Sequence, residues 1–267
     1  MSKFSGVLLA SDFDGTLRTS DGRVDDKDKT AIEYFTRNGG FFTVSTGRAL
    51  AAFKNRFEVP VNAPVILSNG AVIYDQRSQR VLSETAIALP DKQVFEQIIR
   101  RFPTVGFEIY KGDAGYIIND SAMSRQHFEI IGVEPRFEVM ERLEFPWTKV
   151  LLTGRLDELK PVEAFLDSGY SHLLDYVFSC EFLLEIMATG VNKGAGVLEL
   201  ARILGVGREH IYCAGDNFND VDMLKIAKIG FAPENAEPEI KALAGQVVAS
   251  NDEGCICEVI EHLDKIY

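Results

Sequence analysis

Five short, largely apolar segments, each followed by a polar or glycine-containing cluster, constrain the fold of this chain most. They lie at residues 7–10, 41–44, 65–67, 211–214 and 229–232, and helical patterns separate them. Parallel strands that are buried on both faces of an α/β sheet have this appearance. The sequence therefore predicts an α/β fold with a Rossmann-like, mostly parallel sheet.

Polar residues at the ends of these elements are predicted to meet. Capping signals place helices between the strands: one begins after Asp25 and ends at Asn38, and another begins at Lys193. In an open parallel sheet, ligands bind at the carboxyl ends of the strands. We therefore expect four residues that are far apart in sequence to converge at one edge of the sheet: Asp12, Thr46, Lys193 and Asp216.

The pattern changes in the middle of the chain, where no polar cluster of this kind follows the strand-like segments. Those segments lie at residues 107–110, 116–118, 150–152, 177–179 and 183–187, and helical patterns cover 94–102, 122–131 and 156–166. We interpret residues 83–188 as an inserted α/β cap domain, and residues 1–82 and 189–267 as the core.

Two carboxylates, Asp12 and Asp14, follow the first apolar segment directly and precede Gly15. Carboxylates this close repel each other unless a cation or a shared proton compensates, so the pair implies a metal ion and separate protonation roles. An ordinary turn is the structural alternative, because Asp and Gly are common in loops. An EF-hand is excluded, because Arg23 occupies the position of the last calcium ligand.

The acidic composition of the chain excludes several classes of partner. The 267 residues carry a formal net charge of -12 and a pI near 4.9, so nucleic acid and anionic membranes would be repelled over most of the surface. We see no segment as long as a membrane span or a signal-peptide core, and the four cysteines lack the paired spacing of a zinc site. We expect a cytoplasmic protein, a monomer or a homodimer.

Four motifs occur in a fixed order along the chain. They are Asp12-Phe13-Asp14-Gly15-Thr16-Leu17, Ser45-Thr46-Gly47-Arg48, Asn192-Lys193-Gly194 and Gly215-Asp216-Asn217-Phe218-Asn219-Asp220. Together they resemble the haloacid dehalogenase (HAD) superfamily, in particular the Cof-like phosphatases with a large α/β cap. The resemblance extends to Ser68-Asn69-Gly70-Ala71, Asn235-Ala236 and Asn251-Asp252-Glu253-Gly254, and so covers almost all of the predicted core.

The resemblance implies a Mg²⁺-dependent phosphomonoester hydrolase with two catalytic acids. Asp12 would be the nucleophile that forms an aspartyl-phosphate, or else only a ligand of Mg²⁺. Asp14 would protonate the leaving oxygen and then deprotonate water, for which it needs a pKa raised by a neighbouring carboxylate or by partial burial. Mg²⁺ would be bound by Asp12, by the backbone carbonyl of Asp14 and by Asp216.

Other residues would bind phosphate or support the site. The resemblance implies four phosphate ligands, Thr46, Gly47, Lys193 and Asn219. The structural alternative for Lys193 is a solvated surface residue, as most lysines outside such motifs are. Asp220 would support the metal or orient Lys193, with a helix N-terminal acid as the structural alternative. Gly15 would let the backbone approach phosphate, and Thr16 would orient Asp14 or only begin the next segment.

Phosphate-monoester hydrolysis is slow enough without a catalyst that an enzyme needs several catalytic and binding groups. Enzymes accelerate phosphate-monoester hydrolysis by up to about 10²¹-fold, whereas one positioned acid or base supplies roughly 10²- to 10⁴-fold. We expect the substrate to be a small phosphorylated metabolite, such as a sugar phosphate. Two alternatives stay open: a phosphotransferase or phosphomutase that uses the same aspartyl-phosphate, and a non-catalytic phosphate-binding regulatory protein.

Overall fold

The structure is a computed structural model that describes residues 2–54 and 60–267. The chain is divided into two units. Of the described residues, 2–47, 60–82 and 192–267 form the first unit, and 48–54 and 83–191 form the second. The second unit thus takes in residues 48–54 and 189–191, which the sequence predicted to belong to the core.

The described chain contains strands and α-helices along its whole length. The strands are β1 (Leu8–Ser11), β2 (Phe41–Val44), β3 (Val65–Leu67), β4 (Val72–Asp75), β5 (Arg80–Glu84), β6 (Gly106–Lys111), β7 (Ala114–Asn119), β8 (Arg136–Phe137), β9 (Lys149–Thr153), β10 (Leu174–Cys180), β11 (Leu183–Ala188), β12 (Ile211–Ala214), β13 (Ile229–Pro233) and β14 (Gln246–Val248). The α-helices are α1 (Asp26–Arg37), α2 (Leu50–Phe53), α3 (Gln93–Arg101), α4 (Ala122–Ile131), α5 (Leu156–Asp167), α6 (Lys193–Leu204), α7 (Val221–Ile226), α8 (Pro238–Leu243) and α9 (Cys255–Ile266).

A parallel sheet of five strands lies at the centre of the first unit, in the order β14-β13-β12-β1-β2. Ser11, the last residue of β1, pairs with Ala214 of β12 on one side and with Val44 of β2 on the other. The segments that follow these three strands therefore begin at the same edge of the sheet. The predicted α/β fold with a Rossmann-like parallel sheet is confirmed.

Helices α1 and α6 begin where the sequence predicted, and α1 also ends there, with Asn38 as its C-cap. The Asp25 side chain accepts a hydrogen bond from the Lys27 N–H at 2.7 Å and caps α1, and Asn192 accepts one from the Ala195 N–H at 2.8 Å and caps α6. Gly205 ends α6 with a φ of +70°, a conformation that glycine adopts without strain. Within the described ranges, none of the helices is long and apolar enough to cross a membrane.

Strand β3 does not belong to the parallel sheet, and the prediction that it does is wrong. It pairs antiparallel with β4 in a separate three-stranded sheet of order β3-β4-β5. One parallel bridge, between Ser45 and Ile66, connects it to the segment that follows β2. A run of three apolar residues suits a buried strand in a parallel or an antiparallel sheet, so the composition of β3 did not show which sheet it joins.

The second unit is built on a six-stranded sheet of its own, in the order β10-β11-β9-β6-β7-β8. Its strand pairs are antiparallel except for β7 and β8, which are parallel. Its hydrophobic core includes Phe95 of α3, Val162 of α5 and the buried Trp147. Lys149 and Glu185, on neighbouring strands, form a buried ion pair. Each unit therefore has its own sheet and its own buried core.

Candidate active site

Asp12 lies at the carboxyl edge of the parallel sheet, directly after the central strand β1. Its backbone N–H donates to the Ala214 carbonyl at 2.8 Å, which extends the pairing of β1 with β12 by one residue. On the other side, the Ser45 N–H donates to the Ser11 carbonyl at 2.8 Å. The segments that carry Asp12, Thr46 and Asp216 therefore run side by side, as predicted from the strand ends.

Lys193 lies between two carboxylates. Its side chain is 1% exposed, and its Nζ donates to Asp12 Oδ1 and to Asp220 Oδ1, both at 2.5 Å. Lys193 is the first residue of α6, so the cap at Asn192 fixes where its side chain begins. Lys193 is therefore not a solvated surface lysine.

Asp216 is held in place by Thr16 and Gly15. The Thr16 hydroxyl donates to Asp216 Oδ1 at 2.6 Å, so Thr16 orients Asp216, and not Asp14 as the sequence suggested. Gly15 has a φ of +89°, and a Cβ atom built there would lie 2.5 Å from Asp216 Oδ2. Glycine is required at position 15 because the Asp216 carboxylate approaches the backbone there.

Asp220 is a fully buried carboxylate that accepts hydrogen bonds from three donors. Its Oδ1 accepts from Lys193, and its Oδ2 accepts from the backbone N–H groups of Asp216 and Asn217, each at 3.0 Å. A Cβ atom at Gly215 would lie 2.5 Å from the Asp220 side chain, so the loop packs directly on it. Asp220 thus orients Lys193 and fixes the loop that carries Asp216, which is more than a helix N-terminal acid would do.

Desolvation and neighbouring charges shift the pKa values of Asp12, Asp216 and Lys193. Burial raises the pKa of Asp12 well above its ordinary value, although the charge of Lys193 opposes the shift. Burial, together with the charge of Asp220, raises the pKa of Asp216 to about 6. Burial lowers the pKa of Lys193, but the charges of Asp12 and Asp220 outweigh it and raise the pKa above the ordinary value. Lys193 therefore stays protonated at neutral pH.

The three acids have the chemistry of a metal site. One ligand oxygen from each of Asp12, Asp216 and Asp220 lies within 4.8 Å of the others. Carboxylate oxygens are ligands that hard divalent cations prefer, and these three carboxylates outnumber the ammonium of Lys193. Asp12 and Asp216 fit a cation better than Asp220, because the oxygens of Asp220 already accept three hydrogen bonds.

Asp14 lies outside the buried cluster. Its side chain is 44% exposed, and its Oδ1 accepts from Arg18 Nη1 at 3.1 Å. Partial burial, one of the two expected sources of a raised pKa for Asp14, is therefore not found. Arg18 leads into a small hairpin, in which the Thr19 N–H donates to the Arg23 carbonyl at 2.8 Å. Asp14 is thus an exposed acid two residues from a buried one.

Residues near the C-terminus hold the loop that carries Asp14. Three contacts between 2.6 and 2.9 Å join the Asn235 amide to the Gly15 carbonyl, the Asn251 amide to the Arg18 carbonyl, and the Asp252 carboxylate to Ser20. Sequence reasoning included Asn235, Asn251 and Asp252 in the resemblance but assigned them no role. Since each contact spans more than 200 positions, local sequence carries no signal for it.

Two predicted phosphate ligands, Thr46 and Asn219, are linked through Asn69. The Asn69 N–H donates to the Thr46 carbonyl at 3.0 Å, and Asn219 Nδ2 donates to Asn69 Oδ1 at 3.1 Å. Gly47 follows Thr46 at the same edge of the sheet. The predicted site residues therefore lie in one region of the first unit, with Asp14 at its exposed side.

The family of the chain is decided by comparison with known proteins. The family model of haloacid dehalogenase-like hydrolases matches residues 9–260. The chain belongs to this family. The HAD phosphatase resemblance and the predicted enzyme class, a HAD-type phosphatase, are thereby confirmed, in agreement with the phosphatases among its relatives.

Relatives of this HAD chain match it over nearly its full length. Phosphatase YwpJ of Bacillus subtilis is 27% identical over 286 residues, which cover 96% of this chain and 99% of that protein. HMP-PP phosphatase of Serratia proteamaculans is 27% identical over 263 residues, which cover 96% and 94%. The solved structure of the HAD subclass IIB sugar phosphatase BT4131 has a TM-score of 0.85 at 22% identity and covers 97% of this chain and 99% of that one. It shares the fold.

Proposed function

We propose that this HAD phosphatase hydrolyses small phosphate monoesters in a Mg²⁺-dependent reaction through an aspartyl-phosphate on Asp12. The observation that carries the proposal is the position of Asp12. It is buried at the end of the central strand, in contact with the buried ammonium of Lys193 and within a cluster of acids that suits a cation. A carboxylate in that position can attack a phosphorus atom whose charge is neutralised around it.

In the first half of the reaction, a carboxylate oxygen of Asp12 attacks phosphorus and the bond from phosphorus to the ester oxygen breaks. Protonated Asp14 donates its proton to that leaving oxygen. Asp14 is suited to this because it lies two residues from Asp12 and outside the cluster that holds Lys193. The products of this half are the alcohol and the aspartyl-phosphate.

In the second half, the Asp14 carboxylate takes a proton from water, and the water oxygen attacks phosphorus. The bond from phosphorus to Asp12 breaks, which releases inorganic phosphate. Asp12 is then a carboxylate again and Asp14 is again protonated. One ester bond is broken and one water molecule is consumed in each cycle.

Phosphate oxygens would be bound by four residues at the edge of the sheet: Thr46, Gly47, Lys193 and Asn219. Lys193 supplies the positive charge, and Asp220 keeps its Nζ directed at Asp12. Groups held in advance around a developing charge lose little freedom during the reaction, which is why such preorganisation lowers the barrier.

We place Mg²⁺ at Asp12, Asp216 and the backbone carbonyl of Asp14. When bound, it would supply positive charge that stabilises the ionised acids and the phosphoryl oxygens. The cluster itself disfavours the ionised form of Asp12, since burial and the neighbouring acids raise the pKa of that carboxyl group. A nucleophile that must be ionised therefore depends on an added cation, which supports the proposed metal requirement.

The relatives support a small phosphorylated substrate. One is an HMP-PP phosphatase, and one structural neighbour is a sugar phosphatase. We propose a small phosphorylated metabolite, such as a sugar phosphate, with the second unit as the cap that selects its leaving group. Water is the favoured acceptor because these relatives are phosphatases. The cytoplasmic location and the monomer or homodimer state stay predictions.

Hydrolysis of p-nitrophenyl phosphate tests the proposal. EDTA should stop the release of p-nitrophenol, and excess Mg²⁺ should restore it. Asp12→Asn removes the nucleophile and should lower kcat by at least roughly 10⁴-fold. Asp26→Asn, which changes an exposed acid on α1, is the matched control and should retain full activity. Turnover without metal would contradict the Mg²⁺ assignment, and an active Asp12→Asn would contradict the covalent role.

A further inference from the structure

Ser68, Asn69 and Gly70 have an unusual backbone conformation, and the proposed reaction gives these residues no role. Their φ angles are +50°, +53° and +100°, so three consecutive residues lie in the left-handed region. Among residues with a Cβ atom this region is uncommon; Asn tolerates it better than Ser does, and a strained residue keeps it only where surrounding contacts impose it. Ser68 and Asn69 are both buried. The contacts of this segment, the 68–70 turn, therefore indicate what the strain serves.

The first contacts of the 68–70 turn reach two predicted phosphate ligands. The backbone N–H of Asn69 donates to the Thr46 carbonyl at 3.0 Å, and the Asn69 side-chain oxygen accepts from Asn219 Nδ2 at 3.1 Å. One residue of the turn thus touches the segment after β2 and the loop after β12 at once. These two segments are separated by more than 150 positions in the chain.

A further contact reaches the start of α6, which carries Lys193. A Cβ atom at Gly70 would lie 2.2 Å from the Asn192 carbonyl oxygen, and one at Gly196 would lie 2.7 Å from Gly70 Cα. Backbone therefore packs on backbone, with no room for a side chain on either side. The position of the turn sets the position of the first turn of α6, and with it the origin of the Lys193 side chain.

We propose that the 68–70 turn is a positioning element for phosphate binding, and that the Asn69 side chain orients the amide of Asn219 toward a phosphate oxygen. This inference rests on the proposed function. Asn69 acts through Asn219 and is a positioning residue. The backbone of the turn, through Thr46 and the start of α6, keeps the remaining phosphate ligands in register with it.

The orientation of the Asn219 amide matters because its two ends have opposite character. The NH₂ group donates to an anion, whereas the carbonyl oxygen repels it. A hydrogen bond from one N–H of Asn219 to Asn69 fixes the rotation of the amide. The NH₂ group has a second N–H, which in this proposal donates to the phosphate. Without Asn69, the amide can turn its oxygen toward the phosphate, so binding should weaken.

A double-mutant cycle between Asn69 and Asn219 tests the proposal, with the dissociation constant of inorganic phosphate in the presence of Mg²⁺ measured by calorimetry. Asn69→Gly removes the acceptor oxygen while glycine keeps the φ of +53° without strain. It should weaken phosphate binding by about 5- to 10-fold, the usual effect of one lost hydrogen bond. In the Asn219→Ala background, the same change should have an effect below about 2-fold, because Asn69 has nothing left to orient.

Gln79 provides a matched control, because it has the same φ of +53° and lies exposed in the turn between β4 and β5. Gln79→Gly should leave phosphate binding unchanged. An Asn69→Gly that binds phosphate as the wild type does, or that weakens binding equally in both backgrounds, overturns the positioning role. If Asn69→Gly gives either of these results while the wild type hydrolyses p-nitrophenyl phosphate, the positioning role is wrong and the proposed function stands. A wild type that neither binds phosphate nor hydrolyses the ester overturns the proposed function as well.

Discussion

At the scale of the residue, the three acids of the site accept hydrogen bonds from different sets of donors. Asp12 contacts Lys193, Asp216 accepts the Thr16 hydroxyl, and Asp220 accepts two backbone N–H groups in addition to Lys193. Three neighbouring carboxyl groups are thereby kept in different orientations. The proposed division of roles among nucleophile, metal ligand and support rests on these partners.

Replacing Thr16 by valine should weaken Mg²⁺ binding. Valine has nearly the same shape but lacks the hydroxyl that donates to Asp216, and losing such a contact to a metal ligand costs roughly 10- to 100-fold in affinity. In a Mg²⁺ titration of p-nitrophenyl phosphate hydrolysis, the concentration for half-maximal activity should rise by about 10-fold or more.

Thr16→Ser is the control for this change, because it keeps the hydroxyl, and it should stay within about 2-fold of the wild type. If Thr16→Val shows the Mg²⁺ dependence of the wild type, Thr16 does not hold a metal ligand.

Sequence reasoning identified these residues but did not pair them correctly. Thr16 and Asp216 were identified through their motifs, but the Thr16 hydroxyl was expected to bond to Asp14, which is close to it in sequence. The contact to Asp216 spans 200 positions and depends on the left-handed Gly15, which brings the carboxylate against the backbone. Residue identities follow from motifs, whereas pairings of this kind require the fold.

At the scale of the element, a buried carboxylate joins α1 to α9. Asp28 Oδ1 of α1 accepts from the Cys257 N–H of α9 at 2.7 Å, and its side chain is fully buried. Burial raises the pKa of Asp28 to about 6. The folded protein therefore binds this proton more tightly than the unfolded chain does.

The stability that Asp28 contributes should depend on pH. It is fully present below about pH 4, where the carboxyl group is protonated in both states, and it is lost as the pH rises through about 6. Asp28→Asn keeps an acceptor for Cys257 and does not titrate. Its free energy of unfolding relative to the wild type should thus increase between pH 4 and pH 7.5, by up to roughly 2–3 kcal/mol.

Urea unfolding of both proteins across this pH range measures the difference. Asp26→Asn, at an exposed acid of the same helix whose pKa is lowered by Lys29, should not show that increase. A relative stability of Asp28→Asn that is flat with pH would mean that Asp28 is ionised in the folded protein as readily as in the unfolded chain.

Elements with local signals were predicted well, and those without were not. The start of α1 was predicted from Asp25, because a capping side chain bonds to the backbone within three residues, and the start of α6 was predicted at Lys193. The sheet to which β3 belongs was not, because pairing with β4 is a choice between partners that an apolar run of three residues does not encode. The grouping of residues 48–54 with the second unit was not predicted either.

At the scale of the whole molecule, the residues of the proposed chemistry lie in the first unit. The four motifs describe segments at the edge of its parallel sheet, so sequence reasoning found them together. The second unit has no comparable motif, and charged residues such as Lys149 and Glu185 are buried in an ion pair there. The residues through which the second unit would select a substrate, as we propose, could not be identified from the sequence, because a buried ion pair and a charged binding site contain the same residue types.

The covalent role of Asp12 is tested most directly by trapping the aspartyl-phosphate in Asp14→Asn. The p-nitrophenolate leaving group needs little protonation, so this variant should still transfer the phosphoryl group to Asp12. It should then stall, because the amide that replaces the Asp14 carboxylate cannot take a proton from water. Acid quenching, borohydride reduction of the acyl phosphate and peptide mass spectrometry locate the modified residue.

The expected result is a burst of about one p-nitrophenolate per protein molecule, with homoserine found at position 12. Modification of a different acid, or steady turnover by Asp14→Asn with no burst and no modified Asp12, would contradict the aspartyl-phosphate mechanism.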